Sequence, residues 1–382
     1  MEESFCVSKE TPNDMMLPIK ANQMTGGKYA EEVNMNKSHL LWVDLTRIIA
    51  VFLVTLTHSA LPVVYSFGNL PTANWMIGNI YNSLTRAAVP LFFMLSGFLL
   101  LQETETLREH LSKRIPRLLI PLVFWSLFYV FWNTHYEKTT TLSLFVVYQA
   151  FFTPACYHLW FLFALLGNYL FIPILRVLLN ALSKTLRYYY LMLWFLAVSF
   201  FPIIEETTGI ATTIDLAMVS GYVGYLVLGY MLGNFQITGR YVMYSMFVII
   251  ASLVTTVFGA YFLSASQGRL IRYFYYYLSP NVIILSLASF IFIKGIAERT
   301  AFLQHGVAET MLKALGSATF GIYLIHPVFL RLLQEGMFGF HLSGLNENPA
   351  YSILATAVMA FSLSFVATYA LLKLPLIRRL VL

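Results

Sequence analysis

The sequence predicts an all-α polytopic membrane protein with about ten transmembrane helices. Of its 382 residues, 58% are hydrophobic and 11% charged, against about 25% charged in ordinary soluble domains. Apolar stretches near the 20 residues that a helix needs to cross hydrocarbon recur along the chain, separated by short polar loops. Those stretches run continuously, as in NVIILSLASFIFI, without the dyad alternation of a transmembrane β-barrel.

Residues 1–40 are polar and lack the basic start and apolar core of a cleaved signal peptide. They read as a cytoplasmic tail ahead of a transmembrane domain, 41–382. Spans are expected at 45–67, 79–101, 117–134, 157–179, 188–203, 216–234, 242–264, 278–295, 315–334 and 351–373. Segment 141–153 is too short to cross and reads as an interfacial or re-entrant helix. Lys and Arg gather on cytoplasmic loops. With the N-terminus inside, that side receives Arg108, Lys113, Arg114, Arg117, Arg176, Lys184, Arg187, Arg240, Lys294, Arg299, Lys313, Lys373, Arg378 and Arg379. The other side receives Lys138, Arg269, Arg272 and Arg331. The expected topology is therefore N-in and C-in. Net charge is +6, but the basic residues lie mostly at helix ends, where the membrane explains them, and no nucleic-acid partner is expected. Cys6 and Cys156 are the only cysteines; neither a disulfide nor a metal site is expected.

Charge inside hydrocarbon costs at least about 2.5–3.5 kcal/mol on insertion scales, and such residues usually face a cavity or a partner. Arg47 and His58 are eleven residues apart on the first span, about 16 Å of rise and nearly one face of the helix. A neutral imidazole there can take or give a proton; the alternative is a snorkelling Arg with a structurally satisfied His. Arg86 lies two turns inside the second span and either snorkels or faces a polar cavity, with Pro90, Ser96 and Gly97 permitting a kink and close approach. His326 precedes Pro327, which frees a backbone carbonyl one turn earlier. His158 sits in a Tyr-His-Leu-Trp cluster that also fits an ordinary aromatic belt. Arg114 and Arg117, three apart at a helix start, can grip phosphate with forked donors, although positive-inside retention explains their charge equally. No P-loop, dinucleotide glycine pattern, HExxH or serine-hydrolase elbow occurs. Two classes remain: an acyltransferase whose His deprotonates an acceptor hydroxyl, and a transporter or flippase whose His and Arg bind substrate or relay protons.

The motifs resemble the acyltransferase-3 family of membrane O-acyltransferases. The likeness rests on Arg47 and His58 with ten residues between them, and on Arg114-x-x-Arg117 after the second span. It also rests on PLFFMLSGFLL at Pro90–Leu100 and FGIYLIHP at Phe320–Pro327, where Phe320 stands in place of the common Tyr. It covers roughly 40–375. Within the family, Tyr157–Phe161 and the Arg86 context look most like the O-acetyltransferase of enterobacterial common antigen. The resemblance implies a bacterial inner-membrane enzyme with acetyl-CoA or another acyl-CoA as cytoplasmic co-substrate and no bound cofactor. The acceptor would be a hydroxyl of a cell-surface carbohydrate or its lipid-linked precursor. By position, His58 would be the general base or briefly carry the acyl group, and Arg47 would orient it or the pantetheine path. Arg114 and Arg117 would hold CoA phosphates, and Arg86, His158, His326 and Tyr323 would serve the acceptor side or the oxyanion.

Overall fold

The computed structural model describes residues 41–374, apart from 211–212, 220 and 347; the predicted tail 1–40, Cys6, Arg378 and Arg379 lie outside the described residues. Among those residues there is no strand. The helices are α1 (Leu41–Tyr65), α2 (Thr72–Leu84), α3 (Ala88–Leu100), α4 (Leu107–Lys113), α5 (Ile115–His135), α6 (Leu144–Gln149) and α7 (Trp160–Ala181). They continue as α8 (Lys184–Phe195), α9 (Phe201–Thr208), α10 (Val223–Gly233), α11 (Gly239–Gln267), α12 (Pro280–Arg299), α13 (Gly306–Gln334) and α14 (Pro349–Leu372).

Nine segments among the described residues are long and apolar enough to cross a membrane; α2 with α3, α4 with α5, and α8 with α9 each count as one. The tenth expected span, 216–234, is different. Among the described residues the one α-helix there is α10, eleven residues long, about 16 Å at 1.5 Å per residue and half a bilayer. The chain enters it through Gly221 at φ 71°, a left-handed turn that glycine adopts without steric cost. At its far end the Lys294 ammonium donates to the Gly233 and Phe235 carbonyls at 2.6 and 2.8 Å, supplying donors that a helix terminus lacks. The apolar run is long enough for a span, but this local chemistry ends it early. The expected re-entrant or interfacial segment 141–153 contributes only α6, none of whose residues is buried.

α1 is the hub, packing on α2, α3, α12, α13 and α14. The α3–α10 contact is a backbone one: a Cβ on Gly97 would strike the Leu226 backbone, and one on Gly229 the Met94 backbone. Lipid tails are as apolar as leucine, so close van der Waals fit between small residues, rather than hydrophobicity, drives such pairs. Beside this seam Trp42 of α1 packs tilted against Phe98 and edge-on to Phe290, at centroid distances of 4.8 and 5.5 Å. This fixes the rotation of α1 and, with it, the direction of its polar residues.

Candidate active site

Proline sets the backbone of the site. A proline inside a helix removes the hydrogen bond to residue i−4 and pushes that carbonyl aside. Pro62 does this to His58, Pro90 to Arg86 and Pro327 to Tyr323. At Pro90 the helix breaks outright: the expected single span 79–101 is α2 and α3 joined by a turn over Thr85–Ala87. Arg86 is in that turn, buried. Its Nε donates to the Asn82 carbonyl at 2.9 Å and Nη2 to Asn82 Oδ1 at 2.5 Å, while Nη1 reaches the Tyr275 carbonyl at 3.4 Å. Its guanidinium also lies 5.7 and 5.6 Å from the Tyr275 and Tyr277 ring centroids, within cation–π range. No carboxylate pairs with it among the described residues. Arg86 therefore faces inward and does not snorkel.

At Pro327 the freed Tyr323 carbonyl is taken by the ring of His326, whose Nδ1 lies 2.7 Å away. Because that partner is an acceptor, Nδ1 carries the proton and Nε2 keeps its lone pair, which has no partner. The His326 ring stacks on His58, centroids 5.4 Å apart. His158 opens the segment before α7 in a single 3-10 turn, Tyr157–Leu159. It is buried, edge-on to His326 at 5.3 Å and to Tyr129 at 5.2 Å, and its backbone carbonyl accepts the Tyr323 hydroxyl. Neither of its ring nitrogens is hydrogen-bonded. A buried ring in this setting is not part of an aromatic belt.

His58 faces a cavity of about 1130 Å³. Arg86, Asn82, Tyr157, Trp160, Tyr222, Tyr275 and Tyr277 line its walls, and Trp132, Glu137, Arg272 and Arg331 also contribute. Tyr157 flanks His58 at a ring distance of 4.6 Å. His58 has ring contacts on two sides and no hydrogen bond to any described residue. His158, His326 and Tyr323 stand behind His58 and do not line this cavity. The one cysteine among the described residues, Cys156, is on the wall; burial pushes its thiol up to about 12, so it stays protonated and is a poor nucleophile.

At the other end of α1, Arg47 is half-exposed and pairs with Asp44 at 3.6 Å, so Arg47 and His58 occupy two levels of one helix. Arg47, Arg114 and Arg117 all lie within electrostatic reach of the Tyr169 phenol. None of them lines the His58 cavity. Arg117 is exposed and makes no ion pair among the described residues. Arg114 is tied to Glu105 and Glu103, at 3.0 and 3.7 Å. Beneath it lies a buried cluster in which Glu105 also takes His110 Nδ1 at 2.8 Å and Arg176 Nη2 at 3.3 Å.

A family model described as an acyltransferase domain matches residues 40–369. The chain belongs to the acyltransferase-3 family. No curated protein and no solved structure matches it significantly. As a family member with nine membrane-length helices among the described residues, it is a membrane acyltransferase. In this acyltransferase the residues singled out in the sequence fall into two groups, His58, Arg86, His158, His326 and Tyr323 at one end, and Arg47, Arg114 and Arg117 at the other. Sequence reading gave no site role to Asn82, Tyr129 and Tyr275 at the first group, or to Glu105, His110 and Arg176 at the second. A signal existed for some of them. Asn82 precedes Arg86 by one helical turn, and Pro173 frees the Tyr169 carbonyl that His110 Nε2 meets at 2.9 Å.

Proposed function

We propose that this acyltransferase carries an acyl group, in the first instance acetyl, from cytoplasmic acyl-CoA to a hydroxyl of a cell-surface carbohydrate or its lipid-linked precursor. It would work in a bacterial cytoplasmic membrane. The observation that carries the reading is the His58 imidazole. It faces a large aromatic-walled cavity, is held by ring contacts alone, and so keeps its nitrogens available for a substrate.

The acceptor sugar occupies the cavity, its apolar faces against Tyr157, Trp160 and Tyr277 and one hydroxyl at His58. The imidazole takes that hydroxyl's proton as the oxygen attacks the thioester carbonyl. The tetrahedral intermediate then collapses, the C–S bond breaks, and the imidazolium returns its proton to the departing thiolate. A thioester is already activated, so alignment supplies much of the rate and the base about 10²–10⁴-fold. Arg86 brings a buried positive charge to the same cavity, where it stabilises negative charge on the substrate or intermediate. The donor's phosphates bind at the opposite end of α1, where Arg117 is exposed and makes no ion pair among the described residues and Arg47 and Arg114 are near. The likeness to the enterobacterial common antigen enzyme makes that glycan the first acceptor to test.

The experiment is His58→Ala, with transfer from labelled acetyl-CoA measured in membranes containing the acceptor glycan. A fall of about 10²–10⁴-fold is expected while the protein inserts normally. Near-full transfer removes His58 as the base. Movement of labelled glycan across vesicles without any acyl-CoA would favour a transporter instead.

A further inference from the structure

The buried charge cluster under Arg114 is larger than membrane topology requires. Glu105, in the loop between α3 and α4, is only 9% exposed at its side chain. Its carboxylate serves three neighbours, two of them guanidinium groups: Oε1 accepts from His110 and Arg176, and Oε2 accepts from Arg114 Nε at 3.0 Å. Burial alone would raise this carboxyl, but the hydrogen bonds from His110, Arg114 and Arg176, with the Arg114 charge, outweigh it and hold the group below its ordinary range.

The three partners differ in what else they do. Arg176 is anchored to the backbone, giving Nη1 to the Glu105 carbonyl at 3.0 Å and Nη2 to the Leu100 carbonyl at 2.8 Å. His110 is fully buried and meets the Tyr169 carbonyl through Nε2. Both His110 nitrogens thus face acceptors. These two residues bind α4 and α7 to the end of α3 and leave the carboxylate no freedom to turn. Arg114 is different. Its side chain is 24% exposed, it is held by its Nε edge, and among the described residues its terminal nitrogens have only a 3.7 Å approach to Glu103.

We infer that Glu105, locked by Arg176 and His110, is a positioning residue that aims the Arg114 fork at the phosphates of the acyl donor. The inference rests on the proposed use of Arg114 and adds its cause. An arginine side chain gives up rotamer freedom when it binds, and one already fixed at Nε has less to lose. Glu105 touches no substrate; it acts through Arg114.

The test uses the full-length protein in nanodiscs, with initial rates at varied acetyl-CoA and direct binding of coenzyme A. Arg114→Ala and Glu105→Gln are both expected to raise KM for acetyl-CoA and weaken coenzyme A binding, Glu105→Gln by about three- to tenfold, with little change in kcat. Glu105→Asp, which keeps the charge, restores part of the affinity. In the Arg114→Ala background, Glu105→Gln has no further effect on KM. Two results overturn the inference. One is an unchanged KM in Glu105→Gln although Arg114→Ala raises it. The other is kcat and thermal stability falling together in Glu105→Gln with coenzyme A affinity intact, which marks the cluster as structural only. If Arg114→Ala itself leaves KM and binding unchanged, the donor site assignment fails as well. Should Glu105→Gln not fold, Glu105→Asp carries the comparison, and its KM must then exceed that of the unsubstituted protein.

Discussion

The pairing of His326 with a proline-freed carbonyl can be tested by a double-mutant cycle. His326 and Tyr323 are both buried, and Nδ1 of His326 donates to the Tyr323 carbonyl at 2.7 Å. Pro327 is the reason that this carbonyl needs a side-chain donor, since residue 327 has no N–H to offer it. His326→Ala leaves the carbonyl unpaired inside the protein, which costs about 1–3 kcal/mol, and it also loses the packing on His58 and His158. In a Pro327→Ala background the new amide can close the ordinary helical bond to Tyr323. There His326→Ala loses only the packing. The packing loss is common to both backgrounds and cancels. The cost of His326→Ala should therefore be about 1–3 kcal/mol greater with Pro327 in place than in the Pro327→Ala background, which is about 5- to 150-fold in the unfolding equilibrium. Unfolding by sodium dodecyl sulfate in mixed micelles, followed by tryptophan fluorescence, measures all four corners. Equal costs in the two backgrounds would refute the assignment of the Nδ1 proton and the reason given for the position of His326.

Gly229→Leu should prevent α10 from seating on α3, because its Cβ would meet the Met94 backbone. Overpacking of this kind costs about 1–3 kcal/mol where neighbours can shift and more where they are backbone. Loss of a monodisperse peak in size-exclusion chromatography is expected, whereas Gly239→Leu, with nothing within 4 Å of its Cβ, should elute normally; equal profiles would contradict the packing argument. Glu105 predicts an acid limb of stability. Its folded carboxyl lies below the ordinary 4.5, so its contribution is present above that pH and disappears as pH falls below it towards the folded value. Melting temperature against pH should fall more gently below pH 4.5 in Glu105→Gln than in the unsubstituted protein, and parallel curves would count against the cluster.

Much of the fold was legible from the sequence because a bilayer imposes a length on every helix that crosses it. The residues beginning at Leu41, Gly306 and Pro349 announce membrane helices whatever packs beside them. The residues that became the candidate site were also visible one at a time. An imidazole or guanidinium within an apolar run is costly anywhere, and Pro90 and Pro327 marked where the backbone would open. The spacing of Arg47 from His58, and the Pro90–Leu100 and Phe320–Pro327 segments, carried the family resemblance that the family match supports.

Tertiary structure decided how these pieces meet. Nothing local shows that His58, His158 and His326, from three separate segments, meet in one cluster. Nor does local sequence place Arg176 against Glu105, 71 residues away. The run at 216–234 had the apolar length of a span, yet the one α-helix there among the described residues is α10, under a lysine cap supplied by α12. The physical reason is common to all three. Hydrophobic length is a property of each segment against lipid, whereas rotation, depth and termination of a helix are fixed by small-residue seams and side-chain hydrogen bonds from helices distant in the chain.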